Sequence, residues 1–320
     1  VVGAGASIAI SQLVPGVSAM LVAILLGAAL VNLAGLRGGV PAVLAPGLAV
    51  ASRRFLRLGV VLLGLQLVLG DIAALGWPTV VGVVVIVGGT MGTTLLLGRW
   101  LRIDPSQVLL IAGGFSICGA AAVAGVDGVL ARRKDTETAT AVALVVLFGT
   151  VMIAVMPALS GLLGLDPHTA GIWTGASVHE VAQVVAAAGI IGPQALTVAV
   201  VVKLARVLML APVLGVISWR QRAEIAASAR TDRKLPPLVP LFVVGFVAMV
   251  AVRSLNVLPA PVLDDARTVQ VWLLAAAMFA LGTSVHWEVL RRAGGRPVVL
   301  AGLATVVVTA IGGGVAALAG

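Results

Sequence analysis

Long apolar runs follow one another along this chain, separated by short polar breaks, and neither a two-residue nor a one-faced helical alternation organises them. Apolar runs of this kind predict helices that are hydrophobic all round, as in a bilayer or a large buried core. The runs fall at 1–14, 16–35, 56–75, 78–99, 105–131, 137–162, 169–190, 194–218, 237–255, 268–290 and 297–319. Most reach the length of about 20 residues that a hydrocarbon core demands. The expectation is an all-α polytopic membrane protein of about 10–11 transmembrane helices. The first run reads as a helix already under way at Val1, which suggests that residues precede it. Segment 37–52, with Pro41, Pro46 and several glycines, is too broken for a clean crossing and reads as re-entrant or interfacial.

Composition agrees with that pattern. Of the 320 residues, 60% are hydrophobic and 10% charged, and the mean hydropathy is +1.17. A soluble domain carries about 25% charge. The net charge of +9 would suggest nucleic acid in a soluble chain. Here the basic residues gather in short breaks: Arg53, Arg54 and Arg57; Arg99 and Arg102; Arg220 and Arg222; Arg291, Arg292 and Arg296. That is the positive-inside pattern, and it excludes a nucleic-acid reading. The polar stretch 219–236 is then cytoplasmic, and no stretch is long enough for a separate soluble domain, so 1–320 reads as a single membrane domain. Trp77 and Trp100 bracket one run, and Trp219, Trp272 and Trp287 fall at other predicted ends, as interfacial indoles do. The single cysteine, Cys118, rules out an internal disulfide and a Cys-rich metal site.

An internal repeat is visible. Leu63-Gly64 and, 14 residues after the glycine, Pro78 are matched by Leu281-Gly282 and, 15 residues on, Pro297. The first intervening loop has no basic residue and the second has Arg291, Arg292 and Arg296. The positive-inside rule puts the two loops on opposite sides, so 52–100 and 266–320 read as an inverted repeat, a feature of secondary transporters.

Two segments interrupt the apolar monotony. One is Gly113-Gly114-Phe115-Ser116-Ile117-Cys118-Gly119-Ala120; the other is Thr174-Gly175-Ala176-Ser177-Val178-His179-Glu180-Val181-Ala182-Gln183. Gly114 and Ser116 recur as Gly175 and Ser177, each 61 residues on. Glycines let a helix unwind, and unwound backbone inside a membrane is tolerated only within protein or along a watery cavity. The exposed N-termini of half-helices there suit an anion. Close helix packing through small residues is the plainer alternative. Glu180 lies mid-run, where a charge is costly and functional by default, with His179 and Gln183 beside it. Lys203 and Arg206 share a helix face in the next run and would neutralise Glu180 or attract an anion, unless they snorkel to the interface. Asp127, Gln66 (opposite Ser284 in the repeat), His286 and Glu288 are weaker candidates.

The stretches 114–120, 174–184 and 202–212, with Arg-Leu-Gly-Val-Val-Leu-Leu-Gly at 57–64, resemble the YeiH-type bacterial inner-membrane family over essentially the whole chain. The resemblance implies transport, with sulfate export as the family's assigned activity. It also implies a fold similar to the bile-acid symporter and sodium–proton antiporter type, with inverted repeats and broken helices.

The expected function is secondary transport of a small anion, such as sulfate, sulfite or a sulfonate, across the bacterial inner membrane. Gly114, Ser116, Cys118, Gly119, Thr174, Ser177, Lys203 and Arg206 are expected to bind substrate, and His179, Glu180 and Gln183 to couple it to protons or sodium. No cofactor or metal is expected. The partners are the bilayer and the anion, with a homodimer left open. The main rival is a cation/proton antiporter with Glu180 as the carrier carboxylate. A channel and an intramembrane hydrolase using Ser116 or Ser177 with His179 stand behind it; Ser177 and His179 are two apart and do not face each other on one helix. Charge leaves one question open. If 105–131 crosses fully, 132–134 lies outside; if both motif segments are hairpins from opposite sides, every basic loop is inside.

Overall fold

The computed structural model describes residues 1–13, 19–33, 40–41, 43–130, 134–227, 240–283 and 294–320. It is all-α, with no strand among the described residues. The helices are α1 (Val2–Leu13), α2 (Ala19–Leu33), α3 (Ala45–Val50), α4 (Leu56–Leu63), α5 (Leu69–Ala74), α6 (Trp77–Trp100), α7 (Pro105–Ser116), α8 (Ala120–Val129), α9 (Asp135–Leu162), α10 (Pro167–Ser177), α11 (Val181–Ile191), α12 (Pro193–Leu208), α13 (Leu210–Ala227), α14 (Leu241–Ser254), α15 (Ala260–Gly282) and α16 (Gly295–Ala319). Among the described residues, Trp77–Trp100, Thr136–Leu162, Pro193–Ala223 and Gly295–Ala319 are long and apolar enough to cross a membrane by themselves.

Several expected spans are redrawn. Run 56–75 is not one helix: α4 tightens into a 3-10 turn at 64–66, and Leu67 and Val68 are extended. Gly64 sits directly on the backbone of Phe246, a close approach that only glycine allows. The second half of segment 37–52 is helical and feeds α4 through a π-helical turn, Ala51–Phe55. Pro46 is accommodated there because it lies in the first turn of α3, where its missing N–H is no loss. Run 194–218 extends to Ala227 with a turn at Met209, since Pro212 has no N–H to offer the preceding turn. Helix α15 begins at Ala260, so Trp272 lies well inside it rather than at its end. Residues 228–239, Ser284, His286, Trp287, Glu288, Arg291 and Arg292 lie outside the described residues.

The two motif segments are helical hairpins. Gly113 packs on Val126 and Gly114 on Val123, so α8 returns antiparallel along α7. The mouth of this hairpin is clasped: the Lys134 ammonium lies 2.9 Å from Asp104 and 2.8 Å from Glu137. Lys134, with Ser106, holds the Asp104 carboxyl down at about 2, while Glu137 and then Asp104 push Lys134 up. In the second hairpin, Gly171 packs on Ala195 and Val198, and Gly175 on Ala199 and Val202, so α10 runs parallel to α12. Only Gly192, at φ +147°, separates α11 from α12, so α11 runs back against α10. Both hairpins start alike, with an aspartate N-cap and a proline at the first position, Asp104-Pro105 and Asp166-Pro167.

Helix α9 joins the two mouths. Thr138 at its start donates to Asp127 at the end of the first hairpin, and the second hairpin opens four residues after its end. Its 28 residues span about 42 Å. The hairpins therefore enter from opposite ends of the molecule and meet halfway, beside Val145, Val146 and Gly149 of α9. The remaining helices sort into two groups. Helices α6, α9, α12 and α16 pack with the hairpins, while α1, α2, α4, α14 and α15 pack mainly with one another. Helix α6 lies antiparallel to α16 through Gly82 on Val315 and Gly89 on Ile311, and α4 lies antiparallel to α15 through Gly59 on Leu274.

Candidate functional site at the hairpin tips

Each tip brings one helix C-terminus and one helix N-terminus to the molecular centre, and fully buried side chains complete them. Lys203 Nζ donates to the carbonyls of Ile117 (2.9 Å) and Val178 (2.8 Å). Arg206 donates to Phe115 (3.2 Å) and Ser116 (2.8 Å) in one hairpin and to Gly175 (3.2 Å) and Ala176 (2.5 Å) in the other. Both cations thus cap the carbonyl ends of α7 and α10, where the helix dipole is negative. The Glu180 carboxylate does the converse. Its Oε1 accepts from Ala120 N (3.1 Å) at the start of α8, and the same side chain accepts from Gln183 N at the start of α11. One anion therefore caps two helix N-termini. By formal charge, two cations against one carboxylate give the junction an excess of one positive charge.

The other motif residues build this junction. Gly119 has φ +76°, and a Cβ there would run into Glu180 Cγ. Gln183 accepts from Glu180 N (3.2 Å) and donates to Val146 O (3.3 Å), which fixes the second tip against α9. His179 faces α16, away from Glu180, with Nε2 3.1 Å from Thr305 Oγ1. Since that hydroxyl donates to Ala301 O, His179 is the donor to it and Nδ1 carries the lone pair. Its ring packs on Phe115 with centroids 4.5 Å apart. Thr174 and Ser177 are fully buried, and their hydroxyls have no partner among the described residues. Trp173 donates to Thr309 O (2.8 Å).

Along the seam between the two helix groups lies a small, partly open cleft of about 50 Å³. Cys118, Ala121, Glu180, Val181, Ala182 and Val207 form one wall; Met20, Leu56, Val60, Leu63, Gln270, Leu274 and Met278 form the other. Of the residues expected to bind substrate or ion, Cys118 and Glu180 reach the cleft and Gly119 shapes it. Gly114, Ser116, Thr174, Ser177, His179, Gln183, Lys203 and Arg206 stand behind its wall. Lys203 and Arg206 are spent on carbonyls, so their contribution to the cleft is electrostatic and not direct contact. Gln270, bonded to Gln66, was not among the expected residues; its one signal in the sequence is an amide at the start of an apolar run, just after the polar Asp264-Asp265-Ala266-Arg267-Thr268.

An all-α architecture with apolar helices of membrane length and buried ions at two opposed tips defines an integral membrane protein. The chain belongs to the family described as conserved hypothetical protein 698, whose pattern matches residues 1–301. A UPF0324 membrane protein of Corynebacterium glutamicum is 53% identical over 92% of this chain and 84% of its own length. UPF0324 membrane proteins of Pseudomonas putida and Bacteroides thetaiotaomicron are 39% and 37% identical, over 94% and 89% of this chain and 84% of each relative. The YeiH-type resemblance is consistent with this membership. No solved structure matches the chain.

Proposed function

We propose that this protein is a multi-pass secondary transporter of the bacterial inner membrane that carries a small oxyanion, such as sulfate, sulfite or a sulfonate, through the cleft beside the hairpin tips. The observation that carries the reading is the Glu180 carboxylate capping two helix N-termini on the cleft wall, in front of two buried cations. Glu180 then acts as a resident anion in an anion site. When it is ionised, it holds the N–H groups of α8 and α11. When it takes a proton, it loses its claim on them, and a substrate oxyanion replaces it under the excess positive charge. A proton and an anion would bind together, which couples transport to the proton gradient.

The placement of the cleft suits alternating access, since it lies between two helix groups that pack mainly within themselves. Charge gives the orientation. Arg53, Arg54, Arg57, Arg99, Arg102, Lys134, Arg220, Arg222 and Arg296 lie at the end where the first hairpin opens. Asp71, Asp166, Asp264 and Asp265 lie at the other, with Arg253 and Arg267. We place the basic end in the cytoplasm. The opposite directions of α4 then α6 and of α15 then α16 are those that an inverted repeat of 52–100 and 266–320 requires.

A cation/proton antiporter is the second reading, favoured by the carboxylate on the cleft wall. Uptake into proteoliposomes, with a panel of labelled anions and imposed pH or sodium gradients, separates the two. Sulfate, sulfite or sulfonate accumulation driven by a pH gradient supports the first. Sodium or potassium flux against protons, with no anion moved, supports the second and overturns the first.

A further inference from the structure

Gln270 is the polar side chain that the bundle of α1, α2, α4, α14 and α15 contributes to the cleft, and it stands on the wall opposite Glu180. It is 2% exposed and lies among Leu63, Leu274 and Met278. Its Oε1 accepts a hydrogen bond from Gln66 Nε2. A buried primary amide has two N–H donors to satisfy besides its oxygen, and leaving one unpaired is costly. With the oxygen turned toward Gln66, the two N–H groups of Gln270 are left for the cleft. Across that space stand Glu180 and the first residues of α8 and α11.

We propose that Gln270 contacts the substrate, donating its amide N–H groups to the oxyanion from the side facing Glu180, and that Gln66 is the residue that positions it. This rests on the anion reading above. A tetrahedral oxyanion has oxygens to spare after two helix N-termini are satisfied, and an uncharged donor pair in an apolar wall suits them without adding a second charge to desolvate. Because Gln270 and Glu180 belong to different helix groups, the bound anion would bridge the seam. Gln270 therefore sets affinity in the state where the two groups are closed on each other. Gln66 and Gln270 lie 204 residues apart in sequence, so the pair is made by α4 lying antiparallel to α15.

Cys118 is the only cysteine of the chain and lines the same cleft, so its alkylation reports occupancy without relying on transport. Purified protein in nanodiscs would be titrated with sulfate and with methanesulfonate, and the rate of Cys118 alkylation by N-ethylmaleimide followed. In the parent, one or both anions should slow alkylation. In Gln270→Leu and in the near-isosteric Gln270→Glu, the concentration for half-protection should rise about tenfold or more, the effect of losing hydrogen bonds to a charged ligand. Gln66→Leu should raise it by less, with the alkylation rate in the absence of anion unchanged, which a collapsed cleft would not give. Undiminished protection in both Gln270 variants would overturn this inference and leave the anion reading standing. Protection by neither anion in the parent would overturn both. Protection of the parent by sodium, with no effect of either anion, would show a cation ligand and overturn both as well.

Discussion

Glu180 and Gly119 depend on each other at the level of single atoms. The backbone at Gly119 has φ +76° and ψ −134°, a region that costs a non-glycine residue about 1–3 kcal/mol, and its missing Cβ is what lets Glu180 reach Ala120 N. Gly119→Leu should therefore displace Glu180 and abolish transport, while membrane insertion, read by fractionation, stays at the parent level. Retained transport would mean that Glu180 need not reach α8. Lys203 has the opposite character. Its ammonium serves two carbonyls and does not touch the cleft, so Lys203→Gln leaves buried acceptors unserved at about 1–3 kcal/mol each. The expected outcome is a lowered unfolding midpoint in detergent, with loss of folded protein rather than a selective rise in KM. A folded variant of normal thermal stability and weakened anion affinity would return Lys203 to the substrate site.

The hairpins are the elements in which sequence and structure can be compared most directly. Two glycine-rich interruptions in a common frame were legible, as was the need for ions to converge there, because glycine runs and charges in apolar surroundings have few physical meanings. Their fold-back was only one of two readings, since Gly113 on Val126 and Gly175 on Val202 are pairings that linear order does not encode. For the same reason Lys203 and Arg206 read as substrate ligands: which acceptor a buried cation finds depends on helix ends brought together from distant parts of the chain. Gln270 was missed because its partner Gln66 is 204 residues away. The mouth of the first hairpin yields a pH prediction. Asp104 has its carboxyl pKa depressed from 3.8 to about 2, so its contribution to the clasp is present above 3.8 and fades as pH falls toward 2. Lys134 is raised above 10.5, so its contribution is present below 10.5 and fades only as pH rises beyond that value. Between those limits the clasp stays closed, and Asp104→Asn should open it at neutral pH. Hydrogen exchange at 105–110 and 134–140 should then quicken severalfold in the variant, and exchange equal to the parent's would show that the clasp holds nothing.

At the scale of the whole molecule, two hairpins entering from opposite ends put a polar junction, formally positive, at the centre of an apolar protein, beside a cleft between two helix groups. The orientation proposed from the basic end is checked with single cysteines in a Cys118→Ser background. Arg220→Cys should react with a membrane-impermeant thiol reagent only from the cytoplasmic side, and Asn256→Cys only from the other; reaction of both from one side would contradict the arrangement of the hairpins. The central claim is that Glu180 is the titrating resident of the anion site. Glu180→Gln keeps the shape and removes the charge that a proton would neutralise. The most direct measurement is labelled-sulfate movement into proteoliposomes made with the parent and with Glu180→Gln, each under an imposed pH gradient and under equal-concentration exchange. The account predicts that the parent concentrates sulfate under the gradient and that the variant exchanges sulfate but brings it only to equilibrium. A variant that still concentrates sulfate as the parent does would contradict it, and Glu180 would then be no more than the cap that holds α8 to α11.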